Sequence, residues 1–72
     1  MDDDTLNLSI RKFLKTVGVG SQREIERAIA KANADGTLVG RRSLPATMTL
    51  SVAGLSLEVR FDGEIVLGPD AA

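Results

Sequence analysis

Apolar residues recur every three or four positions near the start of the chain, in the order Leu6, Ile10, Phe13, Leu14 and Val17. At about 100° per residue these side chains fall on one stripe, which predicts an amphipathic helix. Acidic residues 2–4 precede the stripe, where carboxylates favour the positive end of the helix dipole. Gly18 follows the stripe directly and is predicted to end this first helix in a left-handed conformation.

A second helix is predicted to start at Ser21, because the run Ser21-Gln22-Arg23-Glu24 is a capping box. Val19 lies just upstream and is placed to pack near Ile25 as a hydrophobic staple. The predicted apolar face comprises Ile25, Ala28, Ile29 and Ala32. Asp35-Gly36 is predicted to end the helix. Only residues 18–20 separate the two helices, so we expect a helical hairpin or corner.

After Gly40 the hydrophobic period changes to two, which is typical of antiparallel strands with one buried face. The first apolar set is Met48, Leu50 and Val52, and the second is Leu55, Leu57, Val59 and Phe61. Ala53-Gly54 is the predicted turn between them, although its turn type stays open because Ala-Gly is not a favoured type I′ pair. A two-residue loop would pair Val52 with Leu55, Leu50 with Leu57 and Met48 with Val59.

Asp62-Gly63 is a second turn signal. A three-residue loop with Gly63 as the left-handed residue keeps the apolar face intact. Its predicted pairs are Arg60 with Glu64, Val59 with Ile65, and Leu57 with Leu67. The two turns together predict three strands in a meander, and residues 37–39 are a candidate for a short extra strand.

The predicted fold is α+β, with an N-terminal helical hairpin packed on one face of a three-stranded antiparallel β-meander. The chain of 72 residues fits one domain, over residues 1–67. Residues 68–72 are predicted to be a frayed C-terminal tail.

Composition limits the chemistry that the chain can perform. The sequence contains neither cysteine nor histidine, which removes disulfides, the usual zinc ligands and the commonest general base. A domain this small also has little room to enclose a pocket. We therefore expect no enzyme activity, no catalytic residues, no cofactor and no metal site; the acidic residues 2–4 are interpreted as helix-start electrostatics.

Charge is distributed unevenly although the net charge is only −1. Residues 11–42 hold eight of the nine basic residues against three acidic ones, and residues 43–72 carry a net charge of −3. No apolar run approaches the about 18 residues that a membrane span needs, so no membrane association is expected. The acidic N-terminus does not match a signal peptide, which favours a cytoplasmic location.

Four blocks of sequence carry a resemblance to a known family: residues 9–15 (SIRKFLK), 17–19 (VGV), 21–26 (SQREIE) and 44–50 (LPATMTL). Together they resemble a family of small uncharacterised bacterial proteins, a domain of unknown function. The resemblance covers roughly residues 8–67. It implies a stand-alone bacterial protein and carries over no active site.

One candidate partner surface lies on the first helix, where Leu8 sits among Arg11, Lys12 and Lys15. This surface could dock an acidic protein through an apolar anchor, although a scattered surface leucine is the plainer interpretation. Val66 is a similar off-face residue on the last strand, at an edge that a second subunit could cover. We therefore predict a small accessory or protein-interaction module that self-associates, with a homodimer as the simplest form.

The alternative function is a winged-helix-like DNA-binding protein. A helical corner whose second helix starts Ser21-Gln22-Arg23 is similar to a helix-turn-helix, and a β-hairpin after it would form the wing. The predicted nucleic-acid contacts are Gln22, Arg23, Arg27 and Lys31 on the second helix, and Arg41 and Arg42 after it. Glu24 and Glu26 interrupt this basic surface, which makes a capped, solvated helix the plainer interpretation.

Overall fold

A computed structural model describes residues 1–68 of the chain as one helix followed by a β-hairpin. The chain divides into two compact units, one of residues Met1–Thr37 and one that begins at Leu38. The mixed α+β class is confirmed. The assignment of residues 1–67 to a single domain stays a prediction, and the predicted frayed tail lies, beyond Gly68, outside the described residues.

Helix α1 runs from Asp3 to Ala34, a length of 32 residues or about 48 Å. Asp2 is its N-cap, and the Asp2 carboxylate accepts hydrogen bonds from the backbone N–H groups of Asp4 and Thr5 at 3.1 and 3.4 Å. The Thr5 hydroxyl donates to the same carboxylate at 2.6 Å. These bonds satisfy donors that have no partner within the helix, so the helix starts at the acidic segment, as predicted.

The predicted helical hairpin is wrong, because α1 is continuous through residues 18–21. Gly18 and Gly20 have helical backbones, and Ser21 lies inside the helix, where it caps nothing. An interior glycine costs about 1 kcal/mol relative to alanine, whereas a break would leave four N–H and four C=O groups without intrahelical partners at the new ends. The apolar positions also stay in phase across the glycines, so nothing in the packing pattern requires a break.

The C-terminal end of α1 agrees with the prediction at Asp35-Gly36. Gly36 has a φ of 76°, and its N–H donates to the Asn33 carbonyl at 3.2 Å. The Thr37 N–H donates to the Ala32 carbonyl at 3.0 Å. This pair of bonds is a Schellman motif, which needs a left-handed residue that glycine adopts without strain.

The second unit holds a two-stranded antiparallel hairpin of β1 (Ser43–Val52) and β2 (Leu57–Val66). Its register pairs Val52 with Leu57, Leu50 with Val59 and Met48 with Phe61. Alternate residues point to opposite faces. One face is therefore apolar, comprising Leu44, Ala46, Met48, Leu50, Val52, Leu57, Val59, Phe61 and Ile65. The other face is polar.

The predicted turn is two residues too short. The strands are joined by a 3₁₀ turn at Ala53–Leu55 and by Ser56 in a left-handed conformation, with φ 50° and ψ 37°. A type I′ turn would need positive φ at both Ala53 and Gly54, whereas this loop needs it only at Ser56. The register shifts by two residues, an even number, so the residues that remain in the strands keep their predicted faces. The predicted strand position of Leu55 opposite Val52 is wrong, because Leu55 lies in the turn.

The second predicted turn, at Asp62-Gly63, is wrong, and β2 passes straight through it. Asp62 pairs with Thr47 and Gly63 pairs with Ala46 on β1, so the predicted pairs of Arg60 with Glu64 and Val59 with Ile65 do not form. The described residues therefore hold two strands instead of three. Residues 37–39 form turns instead of the proposed extra strand. The alternation of apolar and polar residues continues in phase through Gly63. The hydrogen bonds between β1 and β2 therefore outweigh the preference of Asp62-Gly63 for a turn.

Pro45 on β1 lies opposite Glu64. The Leu67 N–H donates to the Arg42 carbonyl at 2.8 Å, which sets the alternation of hydrogen-bonded and non-hydrogen-bonded pairs. By that alternation Pro45 occupies a non-hydrogen-bonded position, where a backbone N–H would point away from β2. Although proline has no N–H group, the β1–β2 ladder therefore loses no hydrogen bond at Pro45.

Neither unit contains a core of its own. Across residues 1–68 no side chain, apolar or polar, reaches full burial. The apolar faces of α1 and of the hairpin are exposed or half-buried throughout. The hydrophobic pattern is thus complete, but the burial that would make it stabilising is missing within each unit.

Candidate functional site

The longest apolar surface in the described chain is a stripe along α1. Both predicted helix faces contribute to it, since one continuous helix carries them both. We call it the apolar stripe and define it as Leu6, Ile10, Phe13, Leu14, Val17, Ile25, Ala28, Ile29 and Ala32.

The stripe runs nearly parallel to the helix axis because several of its members are spaced eleven residues apart. Leu6, Val17 and Ala28 are one such series, and Leu14 and Ile25 are another. Eleven residues are almost three whole turns of an α-helix, so each series stays on one side. Two polar residues interrupt the stripe. Ser21, between Val17 and Ile25, has a small side chain, and Glu24, eleven residues after Phe13, has a carboxylate.

Side-chain size and exposure change along the stripe. The N-terminal half carries large residues that remain open to solvent, with Phe13 52% and Leu14 55% exposed. The C-terminal half mixes large and small residues, with Ile25 and Ile29 beside Ala28 and Ala32 on the stripe, and with Gly20 next to it. Exposed apolar surface of this extent is typical of protein interaction sites.

The hairpin presents a second, smaller apolar surface. Phe61 is 57% exposed and Met48 is 43% exposed, and they face each other across the strands. Leu50 and Val52 beside them are half-buried. This face is built from cross-strand apolar pairs, which stabilise a hairpin only weakly while one side remains wet.

The polar face of the hairpin is joined by side-chain hydrogen bonds. The Thr47 hydroxyl donates to Asp62 at 2.9 Å, and the Ser43 hydroxyl donates to Glu64 at 2.9 Å. Arg60 pairs with Asp62 at 3.2 Å along the same strand, instead of with Glu64 across the sheet as predicted. Both ion-pair side chains are about two-thirds exposed, so the pair contributes roughly 0–1 kcal/mol.

The predicted partner residues on the helix share one face of α1. Leu8, Arg11, Lys12 and Lys15 follow an i, i+3, i+4, i+7 spacing, which places them together on the side away from the apolar stripe. We call this group the basic patch. Leu8 is 67% exposed at its centre. Val66 lies in the other unit, where it is 73% exposed and pairs with Ser43. Partner binding at these residues stays a prediction.

The helix-turn-helix behind the DNA-binding alternative is wrong, because residues 21–24 lie inside α1. Two of the predicted contact residues interact with carboxylates of their own helix. Gln22 donates to Glu26 at 3.3 Å, and Arg27 pairs with Glu24 at 3.3 Å. The other predicted contacts are Arg23 and Lys31 on α1, and Arg41 and Arg42 in the second unit. Their role in binding nucleic acid stays a prediction, and the helix-turn-helix on which it was based is not formed.

The acidic N-terminus acts on the helix itself. The hydrogen bond from the Thr5 hydroxyl, and then those from the Thr5 and Asp4 N–H groups, lower the pKa of the Asp2 carboxyl below its usual value. No group of three acidic residues within residues 1–68 is arranged to hold a metal ion.

Sequence reasoning missed the continuity of the apolar stripe. It divided the stripe at Gly18 and assigned Val19 to a staple, whereas Val19 lies on the same side of α1 as Leu8. The eleven-residue spacing from Leu6 through Val17 to Ala28 was the signal that could have revealed one helix, because two independent helices would not keep a common phase.

Comparison with known proteins identifies the family without assigning a role. A model of a family of unknown function, DUF6494, matches residues 1–68, so the chain belongs to that family. No curated protein and no solved structure matches the chain. Within residues 1–68, no helix combines the length and the mean hydropathy of a membrane span.

Proposed function

We propose that this member of the family is a small protein-interaction module that self-associates through the apolar stripe of α1. One observation carries the proposal: the described residues include a complete amphipathic helix and a complete amphipathic hairpin, yet none of their side chains is fully buried. Surface that is patterned for burial and left open is the signature of a subunit interface.

Neither unit has the means to be stable by itself. Isolated helices are marginal in water, because most helical stability in proteins comes from packing of the apolar face. An isolated two-stranded hairpin is also marginally stable at best. A chain of 72 residues without cysteine has no disulfide to compensate, so burial of these apolar faces against another surface is the available source of stability, and association supplies such a surface.

The remaining parts of the proposal concern the kind of protein. We propose a protein without enzymatic activity, supported by a sequence that contains no histidine and no cysteine. A bacterial origin is supported by the resemblance of its sequence blocks. A cytoplasmic location is supported by the lack of cysteine, which suits a reducing compartment.

The basic patch supports a second binding role, the docking of an acidic protein. None of its cations has a carboxylate within 4.0 Å among residues 1–68, whereas Arg27 and Arg60 do have such partners. Since the basic patch and the apolar stripe lie on different sides of α1, pairing of the stripe would leave the patch accessible. A charge-reversed patch, with Lys12→Glu and Lys15→Glu, would lose such a partner while keeping its oligomeric state.

The test of self-association is the dependence of mass and stability on concentration. Light scattering should report a dimer or higher oligomer, and the melting temperature by circular dichroism should rise over a roughly hundredfold range of protein concentration. A monomer with a cooperative, concentration-independent melting transition would overturn the proposal, because it would show that one chain buries its own apolar surface.

A further inference from the structure

We infer that the apolar stripe of α1 pairs with the same stripe of a second copy in antiparallel orientation, with the two-fold axis at Val17. This inference rests on the proposed function and specifies its interface. Two observations support the orientation: the distribution of side-chain size along the stripe and the distribution of charge at the helix ends.

Size complementarity favours the antiparallel arrangement. When Val17 meets Val17 of the second copy, Leu6 lies opposite Ala28, Phe13 opposite Ser21, and Leu14 opposite Gly20. These three large residues therefore meet small ones, and Ile25 and Ile29 meet Ser9 and Thr5 in the same way, whereas Ile10 lies opposite Glu24. The matching of large with small residues keeps the separation of the axes even along most of the helix. A parallel pair would place Phe13 against Phe13 and Ala28 against Ala28, leaving the axes too close at one end or a gap at the other.

Charge complementarity favours the same arrangement. The first turn of α1 carries Asp3 and Asp4, and the last turn carries Lys31. In the antiparallel register Asp3 lies at the level of Lys31 of the second copy, at both ends of the pair. A parallel pair would bring the acidic first turns together and also align the helix dipoles, both of which are repulsive.

The geometry also closes. A two-fold pair uses the same surface on both copies, so it forms a dimer and leaves no stripe for a third copy. The basic patch remains on the outside of the pair.

Cross-linking of unique cysteines tests the orientation, since the natural chain contains none. Full-length Leu6→Cys and Ala28→Cys chains, one of them carrying a mass tag, are mixed and treated with a short bis-maleimide that spans the about 8–10 Å between packed helix axes. The mixed Leu6→Cys with Ala28→Cys product should exceed each same-site product several-fold. Same-site products in excess would overturn the antiparallel arrangement.

Two controls separate failure of this inference from failure of the proposed function. Val17→Cys should cross-link to itself, whereas Lys12→Cys on the opposite face should not. A dimer by light scattering in which Val17→Cys fails to cross-link would overturn the inference and leave self-association standing. A monomer by light scattering would overturn both. If Leu6→Cys or Ala28→Cys disturbs the dimer, the pair Asp3→Cys and Lys31→Cys tests the same register near the helix ends.

Discussion

Helix α1 and the β1–β2 hairpin are both amphipathic, but they treat their polar sides differently. The hairpin joins its polar residues across the strands, as Thr47 with Asp62 and Ser43 with Glu64. On the polar side of α1, the basic patch has no such partners among the described residues. The polar face of the hairpin therefore has its own hydrogen-bond partners. By contrast, α1 carries an apolar stripe that is not buried and a basic patch whose cations have no carboxylate partners among the described residues. This contrast supports the proposal that other molecules bind the helix.

Breaking the apolar stripe at its centre should have the largest effect. Val17→Asp places a carboxylate next to its own copy in the proposed dimer, and burying an unpaired charge costs at least several kcal/mol. We expect a monomer by light scattering. Val19→Asp is the matched control, because it makes the same change two residues away on the opposite face. Dimers that persist in Val17→Asp, or that are lost equally in both variants, would show that the stripe is not the interface.

A smaller change sharpens the distinction between one helix and two. Gly18→Ala should stabilise the protein by about 1 kcal/mol, because alanine is the better helix former and a Cβ at this position meets no atom within 4 Å. Gly36→Ala should destabilise it by roughly 1 kcal/mol, since φ is 76° there. Denaturation midpoints at one fixed protein concentration measure both effects. A destabilised Gly18→Ala variant would indicate a left-handed residue and a helix that ends there.

The hairpin has an equivalent test at Gly63, which lies mid-strand with open space around its Cα. Gly63→Thr should stabilise the hairpin by up to about 1 kcal/mol, since β-branched residues favour strands. Gly40→Thr is the contrasting variant, because Gly40 has a φ of 81° and should not accept a side chain. Loss of stability in Gly63→Thr would instead support a turn at Asp62-Gly63.

The smallest expected effect comes from the N-cap. The hydrogen bonds that Asp2 accepts lower its pKa from 3.8, so its contribution to helix stability is complete above that value and disappears as the pH falls through the lower, folded-state pKa. Asp2→Asn keeps a capping side chain without the titration. The circular dichroism of the natural protein should therefore lose more helix signal below pH 3.8 than that of Asp2→Asn. Parallel pH curves would contradict a role for the ionised cap.

Periodicity was a better guide to this fold than turn residues were. The alternation from Met48 to Phe61 assigned each side chain that lies in the two strands to its face, and the assignment survived a two-residue error in register because the error was even. Leu55, which was also predicted on the apolar face, lies in the turn. Gly18 and Asp62-Gly63 were read as breaks, but both lie within elements whose apolar phase continues past them. Local turn preferences are worth about 1 kcal/mol, and the hydrogen-bonding of an uninterrupted element outweighs them.

Leu8 and its neighbouring cations share one face of α1, because an i, i+3, i+4, i+7 spacing needs only a single local helix. Their role as a partner surface stays a prediction. The length of the loop at Ala53–Ser56 could not be deduced, because loops of two and four residues give the same faces. The helix-turn-helix prediction failed with the assumed corner at Gly18.

Pro45 has a consequence for how copies of this chain can grow into larger assemblies. The outward-pointing N–H groups of β1 belong to alternate residues, so the proline removes the donor between Ser43 and Thr47 and leaves a gap of about 14 Å. A filament made of stacked hairpins needs an unbroken row of donors on every exposed strand. The proline interrupts that row on β1. Amyloid-like stacking of the hairpin, which has one apolar face, is therefore disfavoured at the β1 edge.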